Sequence, residues 1–310
     1  MDKKSLLYLL ILPLIWGIYY VATNTAVAAM SVFSVGIVIR FITLILLTVM
    51  MGCRGQLKEL FRVKKVWKKL IMIGVLGFLL DTTAFIGLTM CPAGIGTVLL
   101  KTDVIFVNLI SVWIYKQKFR AKDWLLTFVM LFGIVLVLGI DFAHVDIGGI
   151  GNLFFIASAL FVSINAFVIK SAQHDKNQPV SDNVVAYYNN FVTMVLFTIA
   201  AVLTDTLGQL QLFLTDRNIT VALLIASLGQ TLIYVFYYYN LRHFPVWLVK
   251  IFLLLVPIVA VLISFVLFDE ELTLVQVIGM AIVLGCAGCF VVGHQENQTG
   301  RSKLPANKEE

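Results

Sequence analysis

Ten apolar runs, joined by connectors too short to form a domain of their own, dominate this 310-residue chain and decide what it can fold into. They fall near residues 6–29, 33–51, 69–90, 93–115, 123–140, 150–170, 183–204, 218–241, 245–268 and 273–292. A hydrocarbon core about 30 Å thick takes about 17–25 helical residues to cross, and each run can supply them. Backbone groups find no water partner in lipid, so such runs must be helices; the two-residue alternation of barrel strands is missing. With 60% hydrophobic and 13% charged residues, the composition is that of an integral membrane protein. Asp2-Lys3-Lys4 and Val27-Ala28-Ala29 flank the first run as in a secretory signal, but a run of about 23 residues exceeds a signal's apolar region, and it reads as a retained helix.

The cations set the orientation. Nineteen of the 23 Lys and Arg residues fall in one alternating set of segments, including seven from Arg54 to Lys69 and four from Lys116 to Lys122. The other set holds Arg217 alone and carries Asp141, Asp146, Asp205, Asp216, Asp269, Glu270 and Glu271. The positive-inside rule then predicts ten spans with both termini cytoplasmic. The net charge of +6 sits in short loops rather than on a basic face, which excludes a nucleic-acid partner. Cys53, Cys91, Cys286 and Cys289 lie in or beside apolar spans and predict neither disulfides nor a metal site.

The chain reads as one unit written twice. Pro92 to Lys116 (PAGIGTVLLKTDVIFVNLISVWIYK) is apolar yet carries Lys101 and Asp103, and a second stretch of the same design starts at Pro245. A shift of 153 places Pro92 on Pro245 and Ser111 on Ser264. Five spans per unit, an odd number, make the second unit enter the membrane from the opposite side. The expected fold is therefore an all-α polytopic membrane protein of two inverted five-helix repeats, at 1–147 and 148–293, with a polar cytoplasmic tail at 294–310. Inverted repeats around a midplane site are the sequence sign of alternating access.

Leu14-Ile15-Trp16-Gly17-Ile18-Tyr19-Tyr20 on the first span, Arg40-Phe41 on the second, and Glu270-Glu271-Leu272-Thr273 followed by Gln276, Gly279 and Gly285 on the last resemble the EamA-type drug/metabolite transporters. The resemblance covers about residues 6–292 as two units. Gln117 stands where the second unit has Glu270, a departure in the first unit. The resemblance implies a central cavity built mainly from the first four helices of each unit, the fifth bracing the bundle, and leaves the cargo open.

The candidate site follows from charges that lipid will not tolerate. Lys101 lies nine residues past Pro92, roughly 13 Å into the membrane, and Arg40 is seven residues into its span, about 10 Å deep. Asp81 sits mid-span and Asp103 two residues beyond Lys101. Each such charge, unpaired, costs about 2.5–3.5 kcal/mol on the lenient insertion scale, so all four must face the interior. One reading has Asp81 or Asp103 meet an amine or carry a proton while Lys101 or Arg40 meets an anion; the other has fixed pairs, such as Lys101 with Asp81, that only hold helices in register. Lys250, five residues from its helix start, reads as a lysine snorkelling to the cytoplasmic edge.

Trp16 and Tyr20 on the first helix, Phe85 on the third, Asn189 in the seventh run, and Tyr234 and Tyr238 in the eighth frame these charges. Pro257 is expected to interrupt the ninth helix, while Gly74 with Gly77 and Gly285 with Gly288 suit close helix approach. The reading is a secondary transporter in the cytoplasmic membrane, monomer or homodimer, that moves an amino acid, related amine or other small organic solute, with proton coupling as an option. It needs no cofactor, metal or catalytic group. An importer of choline or another quaternary amine held in an aromatic cage is the alternative within the class. A lipid-modifying membrane enzyme, against which the scattered His144, His174, His243 and His294 argue, and a non-transporting receptor are the alternatives outside it.

Overall fold

The computed structural model describes residues 3–90, 98–117, 119–139, 149–268 and 272–302; for 3–6, 20, 85, 88, 89, 264, 267, 268 and 290–302 it describes the backbone alone. All regular structure among them is helical: α1 (Lys3–Val27), α2 (Val32–Cys53), α3 (Trp67–Met90), α4 (Asp103–Trp113), α5 (Ala121–Val137), α6 (Ile150–Gln173), α7 (Asp182–Leu203), α8 (Arg217–His243), α9 (Val246–Leu253), α10 (Val256–Phe268) and α11 (Leu274–Ser302). Six stretches within the described residues are long and apolar enough to cross a membrane: Leu7–Val27, Val32–Cys53, Ile150–Gln173, Asp182–Leu203, Arg217–His243 and Val246–Ile263. Large apolar side chains point outward along them, among them Leu14 and Ile18 of α1, Phe41 and Ile45 of α2, and Ile199 and Val202 of α7. A soluble protein does not expose apolar surface in such continuous belts.

The helices pack in matched pairs. α1 lies along α8 and α3 along α6, so that the first helix of each half meets the third of the other; α2 meets α7, α4 meets α9, and α5 meets α11. Two loop clasps repeat the pattern. After α2, the 3-10 turn Leu57–Phe61 is held by the other half: Ser181 Oγ donates to Glu59 at 2.6 Å, Asn183 Nδ2 to Gln56 at 2.7 Å, and Tyr188 Oη to the Leu60 carbonyl at 2.7 Å. After α7, the turn Leu207–Gln211 holds the start of α2, where the Ser31 N–H donates to Gln209 and Ser34 Oγ to the Thr206 carbonyl at 2.7 Å. At a shift of 150 these clasps superpose, and the left-handed residues that open them, Gly55 (φ +67°) and Asp205 (φ +53°), superpose as well. Only the glycine is free of the Cβ penalty there.

Local chemistry fixes the helix ends. Asp216 caps α8 by accepting from the N–H groups of Asn218 and Ile219, and Arg242 and His243 sit in the last turn of α8, against the negative end of the helix dipole. At that end a polar network ties α8 to α6 and α7. Arg242 Nε bonds Asp182 at 2.7 Å, Gln173 Nε2 bonds both Asp182 and the Tyr238 carbonyl, and Lys170 Nζ bonds the carbonyls of Leu241 and Phe244 at 2.6 Å.

Two helix breaks matter most. α9 ends at Leu253 and α10 begins at Val256, because Pro257 lacks an N–H and its ring clashes with the carbonyl four residues back. The expected interruption at Pro257 is thus observed. The fourth run breaks too, at Thr102, between helical residues 98–101 and α4. No proline is needed: the Thr102 hydroxyl bonds the Leu99 carbonyl at 2.6 Å, and Ser163 Oγ of α6 reaches the Asp103 carbonyl at 2.9 Å. Under the shift of 153 Thr102 falls on Leu255, so both breaks occupy equivalent points.

α5 and α11 pair through glycines. A Cβ on Gly279 would lie 2.7 Å from both the Gly133 carbonyl oxygen and the Val137 nitrogen. Gly74 and Gly77 likewise admit α7, whereas Gly285 and Gly288 have nothing within 4 Å among the described residues. Pro92, Gly94, Gly96, Cys91, Glu270 and Glu271 lie outside the described residues.

Candidate functional site

The helices that meet across the halves enclose a central cavity of about 250 Å³. Trp16, Arg40, Asp81, Lys101, Asp103, Asn189, Tyr234 and Tyr238 all line it, as the sequence predicts. The side chains of Tyr20 and Phe85 lie outside the described set. α1 contributes Trp16, Tyr19, Thr23, Asn24 and Val27, and α3 contributes Gly77, Leu80, Asp81 and Ala84. No residue of α5 or α11 reaches it among the described residues, in agreement with a bracing role for the fifth helices.

Two ion pairs build the walls. On one side Arg40 of α2 bonds Asp81 of α3 at 2.9 Å and donates to the Tyr234 hydroxyl of α8, while Asn190 of α7 fixes its backbone by donating to the Arg40 carbonyl at 2.6 Å. On the other side Lys250 of α9 bonds Asp103 at the start of α4, at 2.8 Å, and lies 5.7 Å from the centre of the Tyr237 ring. Neither pair is the Lys101 with Asp81 that the fixed-pair reading offered as its example. Lys250 is corrected as well: it is 2% exposed, packed among the buried residues of α9, and has no path along which its stem could reach an aqueous edge.

Aromatic rings line part of the remaining surface. Trp16 meets Tyr237 edge-on with ring centres 5.5 Å apart, Tyr234 and Tyr238 lie 5.3 Å apart, and Asn189 donates to the Tyr238 hydroxyl at 2.6 Å. The backbone carbonyl of Tyr238 in turn accepts from Gln173 of the network with Asp182 and Arg242. Sequence reasoning missed Tyr19, which lines the cavity. It also missed Lys250 as a wall residue. Its five-residue depth was legible, its radial direction was not.

Charges turned inward on a central cavity, broken helices at equivalent points and an apolar outer surface define a multi-pass membrane protein of the transporter class. The chain belongs to the EamA-like transporter family, whose model matches residues 3–139 and 149–293, and thereby to the drug/metabolite transporter superfamily. Among solved structures, one titled only "Crystal structure of protein" is similar at a TM-score of 0.75 and 17% identity, over 96% of this chain and 99% of that one, which shows the shared fold. No match is found among curated proteins.

Proposed function

We propose that the protein is a secondary active transporter that carries a small organic solute, an amino acid or a related amine or metabolite, across the cytoplasmic membrane by alternating access. The observation that carries this reading is the central cavity, three of whose charged wall residues, Lys101, Asp103 and Lys250, lie beside breaks at equivalent points of the two halves. Broken helices leave polar backbone near the midplane only where it lines a protein cavity, and rocking of matched halves about such a site exposes it to each face in turn. In this reading the chain has ten spans in two inverted units, 1–147 and 148–293, with the tail 294–310 and both termini in the cytoplasm. The network of Lys170, Gln173, Asp182 and Arg242 then closes the cytoplasmic end and must open during the cycle. The protein acts as a carrier and not as an enzyme, with Asp81 and Asp103 as the groups available to a coupling proton.

A quaternary-amine importer is the second reading, favoured by the five aromatic side chains Trp16, Tyr19, Tyr234, Tyr237 and Tyr238 on one cavity. A thermal-shift screen of the purified full chain against a metabolite panel separates the two. A ligand at a hundredfold its dissociation constant stabilises by about 2.7 kcal/mol if it binds only the folded form. Stabilisation by amino acids supports the first reading; stabilisation by choline that is lost in Tyr234→Ala supports the second; a hit that shows no counterflow in proteoliposomes refutes transport.

A further inference from the structure

We propose that Lys101 is the docking point for an anionic group, so that the solute held in the cavity carries a carboxylate or a comparable oxyanion. The word solute rests on the transporter reading above; the anion site rests on geometry alone. Five charged side chains line the cavity, and four of them are spent on one another: Arg40 with Asp81 at 2.9 Å and Lys250 with Asp103 at 2.8 Å. Lys101 is the fifth. Among the described residues no carboxylate oxygen lies within 4.0 Å of its ammonium group. Asp103, on the far side of the break at Thr102, is already engaged by Lys250. The cavity is left with one uncompensated positive charge, in a setting where an unpaired charge is costly and is a functional signal by default.

The location gives the charge a direction. Lys101 is the last residue before the break at Thr102, while its equivalent across the repeat shift of 153 is Leu254, which is fully buried and apolar. Only one half therefore offers an anion its partner, and a bound solute lies with its anionic end toward the break in the first half and its remainder against Trp16, Tyr234 and Tyr238. A purely cationic solute such as choline meets the opposite balance, since both carboxylates are taken and approach to either means breaking an ion pair. The cavity thus favours a zwitterion or an organic anion over a quaternary amine.

The test needs no knowledge of the cargo. In a full-length background with its four cysteines replaced, a reporter thiol is introduced on the cavity wall by Ala84→Cys, or by Val162→Cys should the first variant fail to fold. The protein is reconstituted in phosphatidylcholine vesicles, so that no anionic lipid headgroup competes. Two methanethiosulfonate reagents of similar size are compared, one bearing a sulfonate and one a trimethylammonium. After correction for their rates with free thiol, the sulfonate reagent is expected to react about tenfold faster, as for a cleft that focuses one sign of charge. That preference disappears in Lys101→Gln and persists in Lys101→Arg. Equal rates, or a preference that Lys101→Gln leaves in place, overturn the proposal. An anion preference that depends on Lys101 in a protein showing no solute counterflow sinks the transporter reading and leaves the anion site standing; counterflow of carboxylate solutes undiminished in Lys101→Gln does the reverse.

Discussion

Removing one partner of the Lys250–Asp103 pair strands a buried charge, and the structure says which removal costs more. Lys250 is 2% exposed and Asp103 8% exposed. Breaking a buried pair by truncating one side costs about 3–5 kcal/mol, whereas replacing both partners by apolar groups of similar volume is close to neutral. Asp103→Asn leaves Lys250 without its carboxylate and with Lys101 as a second cation on the same cavity, so it should sit at the upper end of that range. Lys250→Met leaves Asp103 with Lys101 still on the same cavity, and should sit at the lower end. The double variant Asp103→Leu/Lys250→Met should return to within about 1 kcal/mol of the parent. At about 2 °C per kcal/mol, the single changes correspond to losses of roughly 6–10 °C in the melting temperature of the full chain in detergent, read by fluorescence-detected size exclusion after heating. Strictly additive effects, or a double variant no more stable than Asp103→Asn, would refute the assignment of this pair as a coupled structural element.

Further outcomes follow from individual contacts. Gly279→Ala should lower stability by about 1–3 kcal/mol, because the added Cβ meets two backbone atoms 2.7 Å away that no rotamer can move, whereas Gly285→Ala, with nothing within 4 Å, should be neutral; paired melting curves decide. In the loop after α6, Asp175 is held down at about 2 by hydrogen bonds from Lys69 and the backbone N–H groups of Asn177 and Gln178. A carboxyl with a depressed folded-state value contributes its stability above the unfolded value, about 3.9, and loses it as pH falls through about 2. Labelling of a reporter cysteine at Lys176, divided at each pH by the rate of a free thiol, should therefore stay constant from pH 7 to about 4 and rise below it, with an earlier rise in Lys69→Met. Arg242→Ala removes the bonds to Asp182 and the Val180 carbonyl and, if the network seals one end of the cavity as proposed, should speed labelling of cavity cysteines from the side of the membrane that the network faces; an unchanged rate would mean this network does not seal the cavity.

What the sequence revealed and what it withheld divide along a physical line. Apolar length, the repeat shift and the depth of each intramembrane charge are one-dimensional quantities, so the all-helical fold and eight of the cavity-lining candidates were legible from them. Partner choice is not one-dimensional. Arg40, not Lys101, holds Asp81, because the approach of α2 and α3 across the cavity is set by packing with the other half. Lys250 was misread for the same reason: distance along a helix gives depth, but whether a stem can reach water depends on what surrounds the helix, and α9 is enclosed. Pro257 announced its break in advance, while the break at Thr102 depends on Ser163 of another helix, which no local signal reveals.

Solute counterflow in proteoliposomes tests the central claim most directly. Vesicles carrying the full chain are loaded with unlabelled amino acids or other organic carboxylates and diluted into trace labelled solute. A transient accumulation of label that vanishes in Lys101→Gln and survives in Lys101→Arg is the predicted result. Absence of accumulation for every carboxylate solute, with choline accumulating instead, would contradict it.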